Sequence, residues 1–473
     1  MLLAAALAIA LEMPADLDRI LAAPTLHGAH VGALVAGAGD GQTIYEHGAD
    51  DTIQPASTLK LLVGSVALER LGPAYRFSTV LVHGAGDALI LRGGGDPLLR
   101  RADLDAAADA VQSAGIARAQ LTLDESHVAP DERRAPGWSV DDVLQYYAPV
   151  VNGLPFEENV LSLTLAPGAA IGLPPSVQLP PPFVPLAVAA GACIPAPTLL
   201  TFTVTARTVA AGRPDTSDVV AGPCGDVIVT GDVPLGPPSH VDAAVDQPEV
   251  LALRYFADAL RRRGITVLPS SAPAGSMADV FAAPYAPLPA GTIVWRHDGE
   301  PLSAVLADMW LPSDNLIAEE LLREIDVAAN ARAGTLEGGT ALERTWLRGI
   351  GIDPATVTLA DGSGLSQYDR FTPRALVAVL LRDWHGPERG VVMDALPIAG
   401  VRGDLRGAMR GTPAEGRVFA KTGSMSHVRG LAGYVATRSH GTVVFALSID
   451  DWIGSDADLA ALRAAFCSRL ALL

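Results

Sequence analysis

The chain's two ends carry one texture and its middle another, and this restricts the possible folds most. Near the start, HVGALVA, the turn GAGDG and QTIYE (residues 30–46) read as a β-hairpin. Strand, not helix, follows the Gly-x-Gly of that turn, so it reads as a hairpin turn and not as a phosphate loop. A helix is expected from about Ser57 (STLKLLVGSVALERL), stopped by Gly72-Pro73. Near the other end, GRVFAKTG, GLAGYVATR and TVVFALSID read as three strands, closed by a last helix. Between these strands and the strand GTIVWRH lie helical patterns at 300–310 and 315–330, then ALERTWLRGIG and TPRALVAVLLRDW. Strands at both ends with helices between them suit one α/β domain interrupted by an insertion of roughly 200 residues, a length that implies folded lobes and not a loop.

The insertion has two textures of its own. RFSTVLVHG, ALILRGGGDPLL and ARAQLTLDES read as strands around a helix, DLDAAADAVQSAG, and PEVLALRYFADALRRR returns to helix. Residues 151–247 are Pro-rich, short-stranded and nearly helix-free, as expected of a small all-β lobe. The boundaries that follow are 1–75 with 290–473 for the split domain, 76–150 with 248–289 for the first inserted lobe, and 151–247 for the second.

Composition removes several classes of function. Apolar residues make up 49%, enough for large cores. The net charge of −18 and the lack of a basic stripe argue against nucleic-acid binding. No apolar run reaches the length of a transmembrane helix. The ten histidines show no metal-ligand spacing and the three cysteines no C-x-x-C pair, so neither a metal site nor a cofactor is expected. Met1–Leu11 has the length and composition of a signal-peptide core without its positive flank. It is either the remnant of a longer leader or an apolar N-terminal helix. Cys193 and Cys224 bracket part of the Pro-rich segment, which suits a disulfide if the protein is exported; two unpaired buried thiols are the alternative. Cys467 lies on an apolar helix face and reads as core.

Chemistry is concentrated at the lysines. Of 34 basic residues only Lys60 and Lys421 are lysines. Arginine cannot give up its proton in a protein, whereas lysine can, so these two positions are the first candidates. Lys60 lies in Ser57-Thr58-Leu59-Lys60, where helical spacing would bring hydroxyl and amine together and apolar neighbours could lower the amine's pKa. Lys421 begins Lys421-Thr422-Gly423 on a predicted strand, where the glycine would let a substrate backbone approach. Ser313-Asp314-Asn315 lies between two predicted helices and, taken alone, reads as a helix cap. Arg402-Gly403-Asp404 spells an integrin-binding tripeptide, but so short a match recurs by chance. No G-x-S-x-G elbow occurs.

Taken in order, S-x-x-K, S-D-N and K-T-G form the signature of penicillin-binding proteins and class A β-lactamases, and they absorb both lysines. More than half the chain separates Ser57 from Ser313, too much for a β-lactamase. The sequence instead resembles the class C low-molecular-mass penicillin-binding proteins, the D-alanyl-D-alanine carboxypeptidase/endopeptidases. GGGDPLL (93–99), WSVDDVLQYYAPV (138–150) and DGSGLS (361–366) add to the likeness, which runs from about residue 28 to the C-terminus.

The resemblance implies a transpeptidase/β-lactamase-like α/β (α+β) domain carrying two inserted lobes. It implies Ser57 as nucleophile and Lys60 as its base. Ser313 would relay a proton, Asn315 would orient Lys60 and hold the substrate amide, and Lys421 with Thr422 would anchor the substrate carboxylate. Gly423 and Ser424 continue that strand, and the backbone N–H groups of Ser57 and Ser424 would form the oxyanion hole. Met425, Ser426, Asp142 and Tyr147 match the family's side-chain pocket. Gln367 departs from it, because relatives commonly carry Arg after Gly-Leu-Ser. The implied partners are a peptidoglycan stem peptide and, as covalent inhibitors, β-lactams; the implied place is the cell envelope, after export. Another serine acyl hydrolase on the same scaffold (a β-lactamase or a D-amino-peptide esterase) and a non-catalytic wall-binding homologue are the alternatives.

Overall fold

The computed structural model describes residues 13–129, 133–180, 186–187, 201–221, 227–269 and 288–473. Met1–Leu11, Cys193 and Cys224 lie outside these residues, and with them the expected disulfide.

A five-stranded antiparallel sheet joins the two ends of the chain. Its order is Val418–Met425, Val428–Ala436, Thr442–Asp450, His30–Gly37 and Thr43–His47. Thr442–Asp450 is central, with Val443 opposite Gly37 and Asp450 opposite His30. Strand side chains alternate between faces, and here both faces are covered. Leu34, Ala36, Ala432, Tyr434, Val444 and Ala446 enter one core, with the helices Lys60–Leu71, Leu302–Trp310, Asn315–Asn330 and Pro373–His385. Val35, Val435, Val443, Phe445, Leu447 and Ile449 enter the other, against a helix at 13–21 and the closing helix Asp456–Ala471. Cys467 belongs to that second core, where burial pushes its thiol up to about 12. Double coverage explains why TVVFALSID is almost continuously apolar.

The helix Lys60–Leu71 is buried along Lys60–Leu68, as a helix apolar on nearly every side must be. Trp310 is fully buried beside it and donates its indole N–H to the Lys60 carbonyl at 3.0 Å.

The middle of the chain builds a second, mixed five-stranded sheet in the order Thr266–Val267, Arg118–Asp124, Ala88–Arg92, Ser78–His83 and Thr292–Asp298. Arg101–Ser113 and Pro248–Arg262 pack with this sheet in a third core. One expectation changes here. The boundary at 290 puts Thr292–Asp298 with the split domain, but this strand pairs antiparallel with Ser78–His83. Its alternation is equally good for any sheet, and pairing partners are chosen by long-range contact. Beyond these elements, the described residues between 160 and 244 form three small sheets, the longest strands being Val160–Ala166 and Ser239–Ala244. Among the described residues no helix is long and apolar enough to cross a membrane.

Candidate active site

The Ser57 turn is tighter than the expected helix. Ala56–Leu59 is a 3-10 turn, and the α-helix begins only at Lys60. Ala56 has φ 47°, a conformation rare outside glycine. Its carbonyl is accommodated by Gly364, where a Cβ would come within 1.9 Å of it and where φ is +79°. The turn and the 361–366 loop are thus fitted to each other by a glycine no other residue can replace.

Lys60 is fully buried, and its amine contacts three oxygens. Nζ lies 2.9 Å from Ser57 Oγ, 2.8 Å from the Ser363 carbonyl, and in a very short hydrogen bond with Asn315 Oδ1. The Asn315 amide is oriented because its Nδ2 donates to the Tyr147 carbonyl at 2.6 Å, leaving Oδ1 to face Lys60. Oδ1 and the Ser363 carbonyl can only accept, so a neutral amine gives each one of its two hydrogens. Its lone pair then points at Ser57 Oγ, which donates. Burial, followed by the charge of Lys421, lowers the Lys60 pKa to about 7; Asp361, Asp314 and Glu319 act in the opposite sense. The Lys60 amine is therefore substantially unprotonated at neutral pH.

The Ser363 carbonyl is held by two buried acids. Asp361 accepts from Gly364 N at 2.6 Å, Ser366 N at 2.7 Å, Ser363 Oγ at 3.1 Å and Trp138 Nε1 at 2.9 Å. Glu319 Oε1 accepts from Gly362 N and Ser363 N, both at 2.9 Å, and Glu319 also pairs with the fully buried Arg323. Burial raises the Glu319 pKa, the nearby Asp361 adds to the rise, and Arg323 opposes it.

Val418–Met425 is the edge strand beside the Ser57 turn. Ala420 donates outward to the Pro397 carbonyl at 3.0 Å, so the two-residue period turns the N–H groups of Thr422 and Ser424 to the same outer edge. Gly423 lies against the chain's own backbone. A Cβ there would approach the Pro55 carbonyl to 2.7 Å, so the close approach is to the chain's own Ser57 turn. Lys421 is fully buried, and burial lowers its pKa. Its Nζ contacts Thr422 O at 3.0 Å and Asp404 Oδ2 at 3.2 Å.

Residues 13–471 match the D-Ala-D-Ala carboxypeptidase 3 (S13) family. A D-alanyl-D-alanine carboxypeptidase of an Actinomadura species is 33% identical over 446 residues, covering 90% of this chain and 78% of the relative. The chain belongs to this family. Its fold is that of penicillin-binding protein 4 from Haemophilus influenzae, with a TM-score of 0.78 at 24% identity over 96% of this chain and 98% of that one. A second structure of that protein, complexed with a β-lactam, gives a TM-score of 0.72 at 23% identity, covering 95% of this chain and 98% of that one. The family's transpeptidase-like architecture is the α/β fold expected from the sequence.

In this family member, Ser57, Lys60 and Asn315 are brought into hydrogen-bonding contact. Ser313 sits in the preceding turn at φ 71°, and no hydrogen bond joins it to Ser57 or Lys60 among the described residues. Asp314 caps the Asn315–Asn330 helix, accepting from Ile317 N at 2.8 Å, so the S-D-N stretch is both a cap and part of the site. Tyr147 donates its hydroxyl to Asp142 at 2.8 Å, and burial with that bond raises the phenol's pKa. Met425 Sδ lies 3.4 Å from Gln54 Nε2. Gln367 and Ser426 are exposed in turns. The sequence reading missed Asp361, Ser363, Glu319, Trp138 and Asp404. DGSGLS held a signal for Asp361 and Ser363, since an acid among small turn residues is suited to binding several N–H groups. Nothing local marked Glu319, and the Arg402-Gly403-Asp404 match gave no reason to place Asp404 at this site.

Proposed function

We infer that the chain is a serine D-alanyl-D-alanine carboxypeptidase acting on peptidoglycan stem peptides through an acyl-enzyme on Ser57. The observation that carries this reading is the buried Lys60 amine, whose Nζ contacts Asn315 Oδ1, the Ser363 carbonyl and, at 2.9 Å, Ser57 Oγ. Family membership and the relatives' carboxypeptidase activity support it.

Ser57 Oγ attacks the carbonyl carbon of the penultimate D-alanine, and its proton passes to Lys60 Nζ. The oxyanion lies between the N–H groups of Ser57, in a first turn without intrahelical acceptors, and Ser424, on the open strand edge; one such donor is typically worth about 3–4 kcal/mol. The tetrahedral carbon then expels the terminal D-alanine, whose amine takes a proton from Lys60 by way of the Ser313 hydroxyl. Asn315 keeps Lys60 oriented and offers its amide to the substrate. Lys421 and Thr422 hold the terminal carboxylate, with Gly423 keeping that strand against the Ser57 turn. Met425, Ser426, Asp142, Tyr147 and Gln367 border the stem-peptide side chain. Water, activated by Lys60, cleaves the Ser57 ester and restores the serine. A β-lactam follows the same first step but retains its leaving group. The substrate lies in the cell envelope, so the protein acts after export.

Two results are expected. Benzylpenicillin adds once per chain, and peptide mapping by mass spectrometry places the adduct on Ser57; folded protein without an adduct, or with it elsewhere, overturns the assignment. The acylation rate rises with pH. Below about 7 the protonated Lys60 has no lone pair, so the rate falls about tenfold per pH unit, and above 7 it levels off. Stopped-flow acylation that is flat across this range excludes Lys60 as the titrating base.

A further inference from the structure

The Lys421–Thr422 anchor is already occupied by a carboxylate of the chain itself. Asp404 Oδ2 accepts from Lys421 Nζ at 3.2 Å and, in a very short hydrogen bond, from Thr422 Oγ1. Thr422 has a single hydroxyl proton, and Asp404 takes it. The Lys421 ammonium is fully buried and has three hydrogens, directed at Asp404 Oδ2, the Thr422 carbonyl at 3.0 Å and Thr422 Oγ1 at 3.4 Å. No strong donor of the pair is left over for a ligand.

Asp404 is held there by its backbone. Its N–H donates to the Leu311 carbonyl at 2.9 Å, and it lies in the turn Gly403–Leu405. The turn just before it is closed by an Ile398–Arg402 bridge, and the Gly400 N–H donates to the Leu405 carbonyl at 3.0 Å. The Asp404 side chain is 25% exposed, so the carboxylate faces the solvent side of a buried cation.

We propose that Asp404 is a specificity-determining residue: it competes inside the site for the carboxylate anchor, weakening acyl donors that end in a free carboxylate relative to those whose carboxyl is masked as an amide or ester. This rests on the anchor role given to Lys421 and Thr422 above. A free-acid substrate must place a second carboxylate against one ammonium and one hydroxyl that Asp404 already neutralises, and like charges sharing a site repel. A masked carboxyl brings no charge and so meets no such repulsion. The structure thus assigns to this chain a tolerance for uncharged leaving groups that the Lys-Thr-Gly stretch alone would not suggest.

The test uses the full chain and two peptides ending in D-alanyl-D-alanine, one as the free acid and one as the carboxamide. Asp404→Ala and Asp404→Asn are each expected to raise kcat/KM for the free acid about tenfold, mainly through KM, with the carboxamide changing less than about threefold. An unchanged acid-to-amide ratio, or an equal loss on both peptides, overturns the proposal. A measurement on the unsubstituted protein covers the case in which neither variant folds. Benzylpenicillin and its methyl ester are expected to acylate Ser57 at rates within about tenfold of each other, and a larger preference for the acid overturns the proposal. That second outcome leaves the carboxypeptidase reading intact. Absence of acylation by either form removes that reading and this one together.

Discussion

Lys60→Arg is expected to slow acylation of Ser57 by about 10²–10⁴-fold, the usual worth of a general base. Guanidinium has no lone pair to accept the Ser57 proton near neutral pH, and at this buried position its charge is permanent. Asp361, Asp314 and Glu319 place negative charge around the site, so the protein is expected to remain folded with about 1–3 kcal/mol lost to the added bulk. Lys60→Met removes the base without introducing a charge and is expected to lose acylation to the same degree. Stopped-flow acylation of the folded variants, with folding checked by circular dichroism, decides the matter. A Lys60→Arg protein that acylates as fast as the original shows that another group is the base.

Asp361→Ala is expected to cost about 3–5 kcal/mol of stability and to lower acylation at least about a hundredfold. Asp361 is fully buried and receives hydrogen bonds from two backbone amides, the Ser363 hydroxyl and the Trp138 indole. Removing it strands those donors in the core, where an unmade hydrogen bond costs its full desolvation. The 361–366 loop then loses the constraint that points the Ser363 carbonyl at Lys60, and with it one of the two acceptors that aim the lone pair. Urea denaturation reads the first effect. Acylation rates at a denaturant-free temperature where the variant is folded read the second. A destabilised variant that acylates at the original rate would confine Asp361 to a structural role.

Local structure was legible where it had a local cause. TVVFALSID emerged as the strand Thr442–Asp450, because a strand covered on both faces must be apolar nearly throughout. TPRALVAVLLRDW emerged as the helix Pro373–His385, capped by Thr372, which accepts from Ala375 N. The helix at Lys60 began three residues later than expected, since the Ala56–Leu59 turn answers to Gly364, more than 300 positions away.

For the candidate site, residue type and spacing along the chain singled out Ser57, Lys60 and Lys421, because only certain groups can accept a proton or carry the chemistry and because arginine fills the other basic positions, whereas Asn315 entered only through the family resemblance. Tertiary structure decided what those groups do to one another. The contacts of the Lys60 amine depend on the Ser363 carbonyl and on an Asn315 amide oriented by Tyr147, and those of Lys421 depend on Asp404. These are contacts between segments far apart in sequence. A periodic pattern reports which face of an element is buried, but it carries no record of which distant oxygen will meet an amine in the closed core.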